Sequence, residues 1–519
     1  MPATNLNSSG QIEAPFIESK DPFLWNKDLE PTPIDKRGWG AYTYAAIWFG
    51  MAFVVPSWGI VSLGIVLGLN MSTVLVLDFL GSCIVLVPMI IQAHGGAKYG
   101  MAETQLTRTR WGIFGAWVPS WVRAIISMGW WSIVSFIITE AITGVYIVIS
   151  GNFGPLNALI SKGSVGPATI AQAYPVTFYT TFAIVVVAQI GLFYISPPRN
   201  TQPVLKWFAR IMAPLIFVAF LVIWLTMMKH VSFDITPIFT IKATAHGIGY
   251  ITSSIIFINA IIADWATMIM SMPDFTRFSK SQKAQIYGQV SMPFYMLIVG
   301  FFGATTTAAT ILLYHTQIWD PILVATLHLP KGLAIFALVL IALSSFTVNA
   351  FANTIAPGYD IANTYPKKLT WFRGVVIGII ISFSLGIVTY YGNAYSFLYS
   401  WLLKYGVFLG AVEGVLIFDY AIIRRFKFRP IEVFKRKGDF TYLLGVNPAA
   451  IIAFLVAILL VYVDWSPVQA YLYDGSWIST FLISGFLYLA LMKYWVIPKY
   501  QPFLKGSIIH GYKEIIDTK

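Results

Sequence analysis

Apolar stretches of about twenty residues alternate with short polar connectors along nearly the whole chain. As helices, such stretches cross a hydrocarbon core roughly 30 Å thick. The pattern predicts about twelve spans, near 41–69, 71–93, 114–150, 174–196, 204–228, 247–272, 286–314, 332–357, 372–391, 394–423, 448–464 and 476–497. The third is long enough to be tilted or broken. Composition agrees: of 519 residues 57% are hydrophobic and 11% charged, and the mean hydropathy is +0.72. An all-α polytopic membrane protein is the fold class this predicts. The first 36 residues are polar without a charged-then-apolar leader, so the first span is expected to direct insertion.

The net charge of +12 changes meaning once the basic residues are placed between spans. Lys162, Lys229, Lys242 and Lys331 fall on one face, and Arg123 and Lys404 fall inside spans. Every other Lys and Arg falls on the opposite face, with both termini. That asymmetry predicts a multi-pass protein of the cell membrane with both termini cytoplasmic. The charge thus reflects topology, and no aromatic-interleaved basic surface points to nucleic acid. Expected partners are a small-molecule substrate and the lipid bilayer, with no obligatory protein partner evident. The single cysteine, Cys83, excludes a disulfide or a thiolate metal site. The six histidines lack metal-ligand spacing, and no cofactor is expected beyond a coupling ion.

Two spans depart from simple lipid-filling helices. Span 1 contains "AIWFGMAFVVPSWG", where Gly50 and Pro56 interrupt the run; span 6 opens weakly with "HGIGYITSS" and ends "MSMPDFTRF". Broken helices free backbone groups at membrane depth, which is tolerated only around a protein-enclosed cavity. Breaks five spans apart predict an inverted-repeat transporter with a site at the midplane. From Arg37 to Phe53, from Arg277 back to Asp264, and from Lys367 back to Asn353 is in each case about fifteen residues, roughly 20 Å of helix. Trp130, beyond Arg110 and Pro119, reaches a similar level. Asp264 is then an ionisable group near mid-membrane, costly and by default functional.

The segments "RGWGAYTYAAIWFGMAF", "AHGGAKYGMAETQLTRTRWGIFGAWVPSWVRAIISMGWW", "WATMIMSMPDFTRF", "NAFANTIAPGYDIANTYPKKLT" and "FDYAIIRR" followed by "KGDFTYLLGVN" occur in order. In this the chain resembles the nucleobase:cation symporter-1 family of hydantoin, allantoin, uracil, purine and cytosine permeases, from about Trp39 to Asn447. The resemblance implies a leucine-transporter-like architecture of two inverted repeats of five spans plus two peripheral helices. It divides the chain into a cytoplasmic tail (1–36), repeats at 37–230 and 231–430, a cytoplasmic loop with spans 11 and 12 (431–497) and a second tail (498–519). It also implies import of small nitrogen heterocycles with Na+ or H+ by alternating access, and no enzymatic activity.

Carried over residue by residue, the two aromatic walls that sandwich the ring in hydantoin-type members are matched by Trp130 and Trp265. Indole faces stack on planar rings and exclude water. The two span 8 asparagines are matched by Asn349 and Asn353, four apart, whose amides offer donor and acceptor together. Where such members place glutamines, this chain has Val54 and Val134; beside the span 6 tryptophan stands Asp264. The carboxylate has three readings: partner of a protonated or cationic substrate, acceptor of the coupling proton, or cap of a broken helix. The positions matching the sodium ligands are Gly50 and Phe53 (carbonyls), Ser344 (carbonyl), Thr347 (hydroxyl) and Val348. With one hydroxyl lost at Val348 and Asp264 gained, H+ is favoured over Na+.

The remaining intramembrane charges have plainer readings. Glu140, Lys404 and Glu413 are expected to pair between helices, Glu140 facing about 80° away from Trp130. Asp78 and Asp419 are expected to cap or anchor. "GGAKYG" and "SPPRN" read as tight cytoplasmic turns. A secondary transporter of the amino-acid or polyamine type is the alternative function. An intramembrane enzyme or a sensor is not expected, since the sequence offers no metal-ligand set, catalytic triad or appended soluble domain.

Overall fold

The computed structural model describes residues 10–13, 17, 21, 23–25, 30–195 and 198–504. Among them eight helices are long and apolar enough to cross a bilayer, two bent pairs pass the same test together, and Pro214–His230 and Trp371–Ser384 are shorter apolar helices. These correspond in order to the twelve expected spans. The C-terminal tail from 505 and Ser196–Pro197 of "SPPRN" lie outside the described residues; Pro198 already begins a helix.

Span 1 is broken as expected. Ala41–Ala52 and Val55–Val66 meet at 59°, with Val54 extended between them (φ −131°, ψ 156°). Pro56 has no N–H for the Ala52 carbonyl, and the Val54 amide donates to it instead at 2.9 Å. The helical ladder therefore stops short of the Gly50 carbonyl. The first bond of the second half, from the Trp58 amide to the Val54 carbonyl at 3.2 Å, passes over that of Phe53.

Span 6 corrects the expectation of a second break. Ile248–Thr276 is one continuous helix, with Pro273 in its last turn. A proline so close to the helix end forfeits one hydrogen bond without redirecting the chain. The other sharply bent pair is in span 11, where Pro448–Tyr462 and Pro467–Asp474 meet at 111°. Span 8 is interrupted without a sharp bend, between Lys331–Ala352 and Ile355–Thr364. Pro357 removes the donor due to the Asn353 carbonyl, and the Thr354 hydroxyl donates to the Asn349 carbonyl at 2.9 Å.

Span 3, Trp117–Ser150, is unbroken, because Pro119 sits in the first turn where no N–H is needed. "GGAKYG" is likewise not a turn: span 2 runs Met71–Tyr99 and ends on Gly100 in the left-handed region (φ 68°). Its Gly96 packs directly on span 6, where a Cβ would lie 2.7 Å from the Pro273 Cα.

On the side of the chain termini, three elements are tied through one guanidinium. Arg123 of span 3 donates from Nε and Nη2 to the two Asp360 carboxylate oxygens at 2.6 and 2.5 Å. Its Nη1 reaches Asp274 Oδ2 and the Met270 carbonyl, both at 2.8 Å. Asp274 Oδ1 in turn accepts from the Glu103 amide at 3.0 Å. In that connecting segment burial pushes the Glu103 carboxyl up to about 7, against the opposing pull of Arg110. Asp419 anchors as expected, accepting from Arg424 Nε at 2.6 Å and the Tyr488 hydroxyl at 2.7 Å, which holds span 12 to span 10.

Candidate functional site

A cavity opens where the span 1 break, mid-span 3, mid-span 6 and the end of the first span 8 helix converge. Its wall includes Val54, Trp130, Val134, Asp264, Trp265 and Asn353. These six residues come from four separate stretches of sequence, and all six are among the site residues expected from the sequence.

Each is positioned by its own element. Trp130 lies seven residues beyond Arg123 on span 3, roughly 10 Å above the ion cluster. Its ring meets Phe397, Trp401 and Tyr405 of span 10 edge-on, at 5.9, 6.0 and 6.4 Å. Trp265 is held by Trp48 in a T-shaped contact at 5.3 Å, and its buried Nε1 has no hydrogen-bond partner among the described residues. Tyr405 fixes span 10 to span 6 by donating to the Ala263 carbonyl at 2.9 Å. The cavity therefore has two indoles with aromatic backing and an unspent N–H.

Asp264 sits in the interior of the continuous helix Ile248–Thr276, on the cavity wall. The capping reading fails here, since there is no helix end beside it to cap. No hydrogen bond or ion pair engages its carboxylate among the described residues. Asn353, at the span 8 break, donates from Nδ2 to Asn349 Oδ1 at 3.0 Å and keeps its other amide valences for the cavity.

Asn349 is placed differently from the expectation. Fully buried, it is absent from the cavity wall, because its Nδ2 points at span 3 and span 4. It donates to the Trp131 carbonyl at 3.1 Å, Ser135 Oγ at 3.2 Å and Gln189 Oε1 at 2.9 Å. Four residues apart put both asparagines on one helix face, but only the one at the break turns outward.

Of the residues matched to a sodium site, Gly50 and Phe53 flank the span 1 break, while Ser344 and Thr347 are buried on span 8. The Thr347 hydroxyl donates to its own helix, to the Leu343 carbonyl at 2.9 Å. Val348 and Ser345 line the cavity instead. Among the described residues no group of three or more His, Cys, Asp or Glu side chains could hold a metal.

Sequence reasoning missed Met51, Pro56, Ser57, Thr267, Met268, Ser345 and Ala352 on the wall. Helical spacing from named residues would have found several: Ser57 follows Val54 by three, Met268 follows Asp264 by four, and Ala352 follows Val348 by four. Ser57 adds a buried hydroxyl without a hydrogen-bond partner among the described residues.

The expected pairing of Glu140, Lys404 and Glu413 does not form. Glu413 accepts from Trp477 Nε1 at 2.6 Å, Lys404 lies over the Tyr462 ring at 5.9 Å, and Glu140 faces Asp320. Asp78, mid-helix in span 2 and fully buried, has no hydrogen-bond partner among the described residues, so it neither caps nor anchors.

The fold has relatives. A transporter of the nucleobase-cation-symport-1 family, Mhp1, solved closed with bromovinylhydantoin bound, superposes with a TM-score of 0.74 at 18% identity, covering 93% of this chain and 98% of that one. A Na+-coupled sialic acid symporter shares the fold more loosely, at a TM-score of 0.55 and 12% identity over 88% of this chain and 91% of that one. By sequence the chain is 28% identical to the purine-uracil permease NCS1 of Arabidopsis thaliana, over 95% of this chain and 81% of that protein. It is 27% identical to the allantoin permease of Bacillus subtilis, over 91% of this chain and 93% of the relative. A family profile described as permease for cytosine/purines, uracil, thiamine and allantoin matches residues 31–508. On that match across nearly its whole length, the chain belongs to this family of membrane permeases.

Proposed function

We propose that the chain is a secondary symporter that imports a small, flat nitrogen heterocycle by alternating access, with Asp264 carrying the coupling proton. The observation that carries the reading is the cavity itself: two indoles, one half-exposed asparagine amide and one carboxylate without a partner among the described residues, at the level of two helix interruptions. In this reading Trp130 and Trp265 stack on the ring, whose edge hydrogen-bonds to Asn353. Val54 and Val134 supply apolar wall where related permeases have amides, which favours a ring with fewer polar edges. The Arg123 cluster closes the route toward the termini, so release on that side requires the guanidinium to let go of Asp360 and Asp274. Both termini are cytoplasmic, repeats of five spans occupy 37–230 and 231–430, and spans 11 and 12 stand at the periphery.

Coupling to Na+ is the second reading. It is favoured by the Gly50 carbonyl, which the span 1 break leaves outside the helical ladder, with Phe53, Ser344 and Thr347 as the further oxygen donors. Val348 in place of a hydroxyl counts against it.

A thermal-shift panel tests the ring site directly: uracil, cytosine, adenine, allantoin, hydantoins, thiamine and simple amines against wild type, Trp130→Ala and Trp265→Ala. The reading expects one class of heterocycle to stabilise the wild type and neither variant. Stabilisation by aliphatic amines alone would move the chain to the amino-acid and polyamine type of transporter. Equal ligand shifts in both variants would put the site elsewhere.

A further inference from the structure

The end of the bundle opposite the Arg123 cluster holds a second group of buried acids that the substrate cavity does not use. Glu140 lies ten residues beyond Trp130 on span 3, about 15 Å farther along the helix. Asp320 opens the loop helix Pro321–His328, its Oδ1 and Oδ2 accepting from the Ile322 and Leu323 amides at 3.1 and 3.0 Å. Both acids are fully buried. Neither Glu140 oxygen meets an N–H or O–H donor among the described residues. The loop helix packs on span 3 here, where a Cβ on Gly144 would lie 2.8 Å from Thr326 Oγ1, and the Glu140 carboxyl faces that of Asp320.

A third element points into the same place. Tyr391, on the turn Ile387–Gly392, is fully buried, and its hydroxyl lacks a hydrogen-bond partner among the described residues. Its ring packs 6.2 Å from Phe136, one turn before Glu140, and 5.9 Å from Trp319, next to Asp320. The loop helix carries one further titratable side chain, His328 at its far end, which stacks on Tyr314 and is approached by His230 of span 5; the contacts of Gly59 with Trp319 and Leu338 with Gly144 bring no titratable group. Lys404, the cation expected for Glu140, lies over Tyr462.

Two ionised carboxylates in contact, away from water and without a cation, repel strongly; one proton between them turns the repulsion into a hydrogen bond. We propose that Glu140 and Asp320 share a single proton, forming with the Tyr391 hydroxyl a proton site separate from the substrate cavity. Binding takes one proton from the water on that side and leaves the pair with one negative charge; release returns the proton and leaves two. Because Asp320 begins the loop helix Pro321–His328, the shared proton fastens that helix to span 3. Trp319 beside it stacks on Phe397 (6.4 Å, 10° between planes), which meets Trp130 edge-on. Loss of the proton therefore loosens the loop helix and, through two rings, the support of one cavity wall.

Infrared difference spectra of the full-length protein test the site. Glu140→Gln should lose one protonated-carboxyl C=O band relative to wild type, and Asp320→Asn should lose the same band. The double variant should lose no more than either single one, which is the signature of one shared proton. No lost band in either single variant, or the loss of two bands in the double, would overturn the proposal. Hydrogen exchange of the wild type needs no substitution. Corrected for intrinsic exchange, protection of Pro321–His328 should fall as pH rises while that of span 3 holds. Protection of the loop helix that is flat from about pH 5 to about pH 9 would overturn its fastening by a proton.

Discussion

Asn349 and Asn353 give the sharpest separation between supporting and ligand-facing roles. Asn353→Ala removes an amide whose one hydrogen bond among the described residues is to Asn349 Oδ1. A ligand edge left unpaired in a dry cavity costs about 1–3 kcal/mol, or roughly a tenfold to hundredfold loss of affinity. Fold stability should fall only slightly, by about 1 kcal/mol, because that side chain is half-buried and Asn349 Oδ1 is the group that loses its donor. Asn349→Ala instead strips donors from the Trp131 carbonyl, Ser135 Oγ and Gln189 Oε1 at a fully buried position. It should lower stability by about 1–3 kcal/mol and reduce affinity less than tenfold, through a less well oriented Asn353. Melting curves and ligand titrations on the same preparations separate the two. Affinity lost as far in Asn349→Ala as in Asn353→Ala, at an unchanged melting temperature, would refute the placement of Asn349 behind the cavity.

Asp360→Asn should leave Arg123 buried without its two-point partner, at a cost of about 3–5 kcal/mol to the closed end of the bundle. Hydrogen exchange in Ile355–Thr364 should rise, and unchanged protection would show that the cluster does not hold that end shut. For Glu103 the sign follows from its carboxyl being pushed up from 4.5 to about 7 by burial. The folded state then holds the proton more tightly than the unfolded one, so this contribution is fully present below about pH 4.5 and is lost as pH rises to about 7. The stability of wild type relative to Glu103→Gln should decline over that interval; a difference that stays flat or rises would contradict the assignment.

The recurrence of apolar runs made the spans legible, because bilayer thickness sets helix length so tightly. The site was legible at Trp130, Asp264, Trp265 and Asn353, large or polar residues at one depth. Span 6 was misread because a Pro near a helix end looks in sequence like a Pro at its middle. Pro357 was passed over for the converse reason: the break it makes at Asn353 lies just before a polar, basic end that reads as an ordinary helix stop. Asn349 could not be told from Asn353 by spacing, since the difference is made by Gln189 and Ser135 on other spans. The facing of Glu140 by Asp320 was equally hidden. It joins mid-span 3 to a loop helix 180 residues away, and complementary charge pointed instead to Lys404.

Uptake into proteoliposomes under imposed gradients, using the heterocycle that the thermal-shift panel selects, tests the central claim most directly. If Asp264 carries the coupling proton, an inward pH gradient should drive accumulation by the wild type with or without Na+. Asp264→Asn should lose that accumulation but keep exchange of labelled for unlabelled substrate, because the amide preserves shape and cannot cycle a proton. Accumulation that follows a Na+ gradient, ignores pH and survives in Asp264→Asn would contradict the account.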